Sequence, residues 1–155
     1  MTSQVLSTQA LSAWGALLRG HAVLTRTLNA QLVAEHGLTI NDYEVLLRLS
    51  RAPEGQLKRV ELARSLLLTP SGITRLLDGL QATGWVEKAS CPTDARVTYA
   101  VLTEAGHAKL REAGESHLGD IDLHFSSRYD EAELATLADL LGRLGGGGQT
   151  DCSAD

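Results

Sequence analysis

A mainly α-helical fold with a small antiparallel β-wing (α+β) is predicted for this 155-residue chain by three observations. Apolar residues recur every three or four positions over several stretches, which is the period of an amphipathic α-helix. Two short helical patterns between residues 57 and 84 are followed by Gly84, a helix-ending signal. Two runs of β-branched and aromatic residues then flank a Pro/Asp turn. Helix, turn, helix and hairpin in this order predict a winged helix-turn-helix.

The first helix is predicted over residues 9–34, a stretch without proline. One apolar stripe runs along it, formed by Leu11, Trp14, Leu18, His21, Leu24, Leu28 and Leu32. A helix of about 25 residues has more apolar face than the core of so small a protein needs. We therefore expect this helix to pack against a second surface as well.

Two shorter helices are predicted next. Thr39 with Asp42 three residues later resembles a capping box, so a second helix begins there and ends before the turn residues 52–55. The third helix is predicted over residues 58–66. Its inward side chains are expected to be Val60, Leu62, Ala63 and Leu66.

The fourth helix is predicted over residues 70–82. Thr69 can cap its free N–H groups, and Pro70 suits the first helical position. The spacing directs one set of side chains inward, namely Ile73, Leu76, Leu77 and Leu80. The opposite face is polar and carries Ser71, Thr74, Arg75 and Asp78.

The hairpin and two further helices complete the prediction. Strands are expected at residues 85–88 and 97–102, with residues 89–96 as the wing loop. A helix then runs from about residue 104 to 127, and its apolar side is predicted to carry Leu110, His117, Leu118, Ile121 and Phe125. Asp130 caps a last helix that four glycines stop. Residues 145–155 are expected to form a disordered tail.

Charge is distributed unevenly along the chain. The net charge is −5, yet residues 58–96 hold six basic and four acidic side chains, whereas residues 97–155 hold four basic and eleven acidic ones. Binding of DNA depends on the local field, so a negative total does not exclude it.

Several classes of protein are disfavoured. The longest apolar run, residues 66–68, is far too short for a membrane span, and the N-terminus lacks the basic start of a signal peptide. Cys91 and Cys152 cannot form a disulfide framework, which favours the cytoplasm. Nucleophile-elbow, zinc-protease and phosphate-loop motifs are absent from the sequence, so neither an enzyme nor a cofactor is expected.

The chain resembles the MarR family of bacterial transcription regulators over about residues 9–144. Five segments match the family pattern in order and spacing: Glu61-Leu62-Ala63, Ser71-x-x-Thr74-Arg75-Leu76-Leu77-Asp78-x-Leu80, Gly84-Trp85-Val86-x-Lys88, Asp94-x-Arg96 and Leu102-Thr103-x-x-Gly106. Each segment is a weak signal alone, but five together are specific. Lys88 stands where arginine is commoner in the family.

The resemblance implies a homodimer that binds a double-stranded DNA operator. Residues 9–36 and 104–144 would form the helical dimerisation region, and residues 38–102 would form the winged helix-turn-helix DNA-binding domain. Most family members repress genes and release DNA when a small phenolic, lipophilic or oxidising effector arrives. The sequence identifies neither the operator nor the effector.

The polar face of the fourth helix is the first candidate site. A helix in the major groove needs short polar side chains and an arginine for guanine, which Ser71, Thr74 and Arg75 supply. Thr69 and its neighbouring N–H groups can bind phosphate. The alternative is an ordinary solvated helix face.

The wing is the second candidate site. Arg96 at its tip can enter the minor groove, and Asp94 can hold that arginine through a charge-assisted hydrogen bond. Lys88 is a candidate phosphate contact. The alternative is an exposed turn with a weak ion pair.

Other candidates are weaker. The family's effector site would be lined by Trp14, His21 and Tyr43, although packing explains these residues as well. Cys91 beside the wing suggests a redox switch, but the peroxide-sensing branch of the family carries its cysteine near the first helix, which favours a bystander thiol. A winged-helix module that binds a protein is a further alternative. We expect no metal site, since two histidines on one helical face arise readily by chance.

Overall fold

The computed structural model describes residues 6–145. Within that range the elements are α1 (Thr8–His36), α2 (Ile40–Arg51), β1 (Gln56–Lys58), α3 (Arg59–Ser65), α4 (Pro70–Ala82), β2 (Val86–Cys91), β3 (Asp94–Leu102), α5 (Glu104–His124) and α6 (Glu131–Gly142). The strands form one antiparallel sheet in the order β1-β3-β2. These elements confirm the predicted fold class. The predicted disordered tail lies outside the described residues apart from Gly145.

Packing divides the chain into two compact units, with the boundary inside α5 between Leu118 and Gly119. The first unit holds the core, whose fully buried side chains are Leu32, Leu38, Val45, Leu46, Leu49, Leu62, Ile73, Leu77 and Val86. In the described part of the second unit the rings of Phe125 and Tyr129 pack 5.6 Å apart, and no side chain of α6 is buried. This division concerns packing, so the functional boundaries predicted from the resemblance stay a prediction.

The predicted helix starts are confirmed by their caps. Thr39 and Asp42 form the capping box expected for α2, and the side chain of Thr69 accepts a hydrogen bond from the N–H of Gly72 at 3.0 Å. Asp130 caps α6 through a further capping box. These side chains satisfy N–H groups that have no partner within the helix.

Helix α1 is buried only near its C-terminal end. Leu32 is 1% exposed, whereas Leu11, Trp14 and Leu18 remain at least half exposed. The unburied half carries the surplus of apolar face that the sequence predicts.

The sheet differs from the prediction in two ways. Strand β1 was not predicted, and Lys58 was expected to begin the third helix, but Gln56–Lys58 pair with Tyr99–Val101 of β3. Residues 89–96 were expected to be a loop, but β2 continues to Cys91 and β3 begins at Asp94. Strand β1 was missed because three residues are too few to show a periodic pattern. The wing strands were predicted too short because backbone pairing extends both of them beyond their apolar residues.

Two side chains expected to be inward are not. Val60 is 51% exposed because β1 carries Leu57 to the core in its place. Leu118, expected on the apolar side of α5, is 64% exposed. Helix α5 also ends at His124 and not at residue 127, since a 3-10 turn covers residues 126–128.

The start of α5 is fixed tightly against the start of the wing. The N–H of Thr103 donates to the carbonyl of Trp85 at 3.1 Å, and its hydroxyl donates to the carbonyl of Gly84 at 2.6 Å. A Cβ at Gly106 would overlap that same Trp85 carbonyl oxygen. The Leu-Thr-x-x-Gly segment is therefore a packing motif, in which glycine allows the helix to approach the backbone of the wing.

Candidate nucleic-acid interface

The core holds α4 by one face and leaves the opposite face polar. Ile73, Leu77 and Leu80 are at most 2% exposed, and Leu76 packs against the same core. Ser71 and Arg75 on the opposite side are exposed. Since the anchoring side chains repeat at helical spacing, α4 presents short polar groups and one cation to the outside.

The N-terminus of α4 is organised by Thr69. Its hydroxyl oxygen accepts from Gly72 and lies 3.3 Å from the hydroxyl of Ser71. Proline at the first helical position has no N–H and the N–H of Gly72 donates to Thr69, so fewer N–H groups of the first turn are available to a ligand. This geometry suits a single phosphate oxygen.

Thr74 is held by two hydrogen bonds. Its hydroxyl donates to the carbonyl of Pro70 at 2.8 Å, and Nη1 of Arg59 donates to the same hydroxyl oxygen at 3.4 Å. The sequence alone does not predict that Arg59 contacts Thr74. Its contact depends on how α3 crosses α4, which no sequence spacing encodes.

Lys88 is not a free cation. Its ammonium group forms an ion pair with the carboxylate of Asp78, which links β2 to the outward side of α4. The side chain of Lys88 is 26% exposed, so it reaches Asp78 along the surface of the protein. The pair neutralises the one carboxylate that projects from this face of α4.

The wing carries an exposed arginine near the start of β3, and a neighbouring aspartate holds it in place. The side chain of Arg96 is 91% exposed. Asp94 accepts from the backbone N–H of Arg96 at 3.0 Å and from its Nε at 3.1 Å. These hydrogen bonds from Arg96 lower the pKa of the Asp94 carboxyl. Asp94 therefore positions Arg96 and keeps a negative charge beside it.

The three residues expected around an effector have different surroundings. Tyr43 is buried and packs edge-on against His117 with ring centroids 4.7 Å apart, and burial raises the pKa of its phenol. Trp14 is 58% exposed on the unburied half of α1. His21 lies in an open groove between α1 and the start of α2. The other residues that line this groove are Thr25, Arg26, Asn29, Thr39, Ile40 and Asn41.

Cys91 lies at the turn of the wing. Its sulfur is 3.2 Å from the hydroxyl of Thr93. Hydrogen bonds from Thr93, and a further one from the backbone of Asp94, lower the pKa of the Cys91 thiol below its ordinary value. A lowered pKa makes the thiolate, the reactive form, more abundant near neutral pH.

Two further findings concern the part of the chain that the structure describes. No cluster of three or more histidine, cysteine, aspartate or glutamate side chains there has the arrangement of a metal site. None of its helices combines the length and the apolar character that crossing a membrane requires.

Comparison with known proteins gives consistent results. A model of the MarR family matches residues 36–97. The chain is 32% identical over 114 residues to the HTH-type transcriptional repressor YetL of Bacillus subtilis (strain 168), covering 72% of this chain and 68% of that protein. It is 29% identical over 113 residues to the HTH-type transcriptional regulator MhqR of the same strain, covering 73% and 76%.

Solved structures show the same fold. The crystal structure of AbsC, a MarR family transcriptional regulator from Streptomyces coelicolor, has a TM-score of 0.84 at 26% identity, covering 92% of this chain and 96% of that one. Sco3205, a MarR family transcriptional regulator from the same organism solved in complex with DNA, has a TM-score of 0.87 at 24% identity, covering 96% and 92%.

Proposed function

Since this chain belongs to the MarR family of transcriptional regulators, we propose that it is a homodimeric repressor of a double-stranded DNA operator. In this proposal α4 enters the major groove and the wing reaches the adjacent minor groove. The contacting residues are Thr69, Ser71, Thr74, Arg75 and Arg96, while Asp94 and Lys88 position their neighbours. A bacterial operator lies in the cytoplasm, so that is where the protein acts.

The observation that carries the proposal is that α4 has a polar outward face and that the wing has an exposed arginine held by hydrogen bonds to Asp94. Ser71 and Arg75 are exposed on α4, and Arg96 is 91% exposed at the wing. Asp78, which would repel phosphate, is neutralised by Lys88. A module that binds a protein would instead need an apolar outward face on α4, because protein interfaces have apolar centres.

The repressor and dimer parts of the proposal draw on different observations. YetL, the relative at 32% identity, is a transcriptional repressor by name. The N-terminal half of α1 exposes Leu11, Trp14 and Leu18, and a second copy of the chain is the partner that would cover them. Two recognition helices related by a two-fold axis bind half-sites about 34–36 Å apart along the duplex.

Selection of DNA from a random pool with the purified protein tests the proposal. The expected product is an inverted repeat whose affinity falls steeply as salt increases, because phosphate contacts release counterions. Selected sequences without two-fold symmetry, or an affinity that ignores salt, would contradict it. A reporter gene placed behind the selected operator then distinguishes repression from activation.

For the effector we propose a small phenolic or carboxylate compound in the groove beside His21. Arg26 and Asn29 offer a cation and an amide there, although the side-chain oxygen of Asn29 already accepts from the N–H of Ile40 at 3.0 Å. Salicylate is expected to weaken operator binding by the native protein and to have less effect on Arg26→Ala. An equal effect on both proteins would exclude Arg26 from the site.

A redox-sensing regulator switched through Cys91 is the second candidate, favoured by the hydrogen bond from Thr93. In a Cys152→Ser background, alkylation of Cys91 should rise with pH around a midpoint below 9.0, the ordinary pKa of the thiol. Thr93→Val removes the side-chain hydrogen bond that stabilises the thiolate, so the pKa rises and alkylation at pH 7.5 slows. Identical pH profiles for both proteins would remove the basis of this candidate.

A further inference from the structure

We infer that Thr74 recognises a thymine base through its methyl group and that its hydroxyl takes no part in base recognition. The inference rests on the proposed entry of α4 into the major groove. Thr74 lies at the flank of the exposed face that carries Ser71 and Arg75, and it is half-buried where they are exposed. It therefore reaches a base edge from the side of the helix nearest α3.

The hydroxyl proton of Thr74 is already used. A hydroxyl has one proton to donate, and Thr74 donates it to the carbonyl of Pro70 at 2.8 Å. Guanine O6 and N7, adenine N7 and thymine O4 all need a donor from the protein. Thr74 has none to offer them.

The oxygen of the same hydroxyl is also engaged. Nη1 of Arg59 donates to it at 3.4 Å, which places a positive charge beside the lone pairs. The amino groups of adenine and cytosine are the donors that a base presents in the major groove, and the guanidinium disfavours their approach. Arg59 acts here as a positioning residue, because it holds the hydroxyl side of Thr74 toward α3.

The remaining heavy atom on the β-carbon of Thr74 is its methyl carbon. Thymine is the base that presents a methyl group in the major groove, and apolar contact with that group is an established mode of recognition. Burying one methyl is worth about 0.8 kcal/mol, or about fourfold in affinity per half-site and about 15-fold for two half-sites. Thr74 is thus a specificity-determining residue for a thymine, while Ser71 and Arg75 supply the hydrogen bonds.

Replacing thymine by uracil removes only the base methyl group, which isolates this contact. The thymines of the selected operator are replaced by uracil one position at a time, with the symmetric position in the other half-site replaced together with it. Fluorescence anisotropy measures Kd for each uracil operator and for the thymine operator, and the ratio of the first to the second is compared. The native protein should show a ratio of about 15 at one symmetric pair of positions. Thr74→Val, which keeps a methyl group and loses the hydroxyl, should keep that ratio, and Thr74→Ser should reduce it to one.

Thr136→Ser is the matched control, since it removes a methyl group from an exposed threonine of α6 whose hydroxyl also donates to the carbonyl four residues earlier, and it should leave the thymine-to-uracil ratio unchanged. Thermal unfolding of each variant establishes that it is folded. Retention of the ratio by Thr74→Ser, its loss in Thr74→Val, or a flat uracil scan with the native protein would each overturn the inference while leaving operator binding intact. Failure of the native protein to bind any selected DNA would instead overturn the proposed function, and the inference with it.

Discussion

The two cations of the wing, Lys88 and Arg96, have different surroundings. Lys88 is paired with Asp78 and is mostly covered, whereas Arg96 extends into solvent with Asp94 behind it. A neutralised lysine contributes little additional attraction to phosphate, while an exposed arginine suits the negative potential of a narrow minor groove. Arg96 is therefore expected to contribute more to affinity than Lys88.

Arg96→Ala should weaken operator binding by about 1–3 kcal/mol without changing the unfolding temperature. The side chain is 91% exposed and its hydrogen bonds go to Asp94, two residues away, so its loss leaves the fold intact. Titration of labelled operator at fixed salt measures the effect. Arg111→Ala is the control, because it removes the same charge from an exposed position on α5; an equal loss in both variants would indicate a general charge effect.

Leu67 is strained. It has φ of +54°, in the left-handed region that L-residues other than asparagine and aspartate rarely adopt, and its side chain is 93% exposed. Leu67→Gly should raise the free energy of unfolding by about 0.5–1 kcal/mol, since strain is relieved and almost no apolar burial is lost. Leu67→Ala keeps the strain and should be neutral in the same urea titration. A gain in Leu67→Ala of the same size would attribute the effect to the exposed side chain.

Sequence motifs pointed to the candidate DNA-binding residues but did not predict all of the side chains that bond to them. The contact between Arg96 and Asp94 was predictable because the two residues are only two positions apart. The contact of Arg59 with Thr74 spans fifteen positions, and that of Lys88 with Asp78 spans ten and joins a helix to a strand. Such contacts depend on how elements cross, and this is set by packing of the core and not by local spacing.

At the scale of elements, the α5–wing junction is the most constrained position. Gly106 is buried, and an added Cβ would overlap the carbonyl oxygen of Trp85 and lie 2.6 Å from Cδ1 of Leu102. Backbone atoms on one side cannot move without breaking the hydrogen bond from Thr103 to Trp85. The junction thereby couples the position of α5 to that of the wing.

Gly106→Ala should destabilise the protein by about 1–3 kcal/mol through overpacking. Gly119→Ala is the matched comparison, because Gly119 lies in the same helix with no heavy atom within 4 Å of the added Cβ. That change should stabilise by up to about 1 kcal/mol through helix propensity. Chemical denaturation of both variants measures the difference, and effects of the same sign would contradict the packing explanation.

The sequence predicted each helix because apolar spacing and caps coincide at their ends, as they do at Thr39, Thr69 and Asp130. It did not predict β1, since three residues show no period. It placed Val60 inward, although this residue is exposed in the first turn of α3. The wing strands were predicted too short because their outer residues are polar. At these outer residues the backbone pairing between β2 and β3, and not the burial of side chains, keeps the chain extended.

For the whole molecule, the unburied apolar face of α1 predicts association. Leu18→Glu places a charge where the second copy would pack and should convert the proposed dimer to a monomer with much weaker operator binding. Light scattering coupled to gel filtration measures the mass. Ala16→Glu is the control, because residue 16 faces the opposite side of the same helix and is exposed. A Leu18→Glu protein that remains dimeric would exclude this face.

The short ladder between β1 and β3 also has a consequence for the order of folding. Lys58 pairs with Tyr99, so this ladder closes a loop of about 40 residues that contains both α3 and α4. Closing such a loop costs roughly 3 kcal/mol of chain entropy, and three residue pairs recover little of it alone. The β2–β3 hairpin and the helices have local contacts and can form first, which makes β1 the last strand to join. Refolding followed at β1 should therefore lag behind refolding followed at the wing.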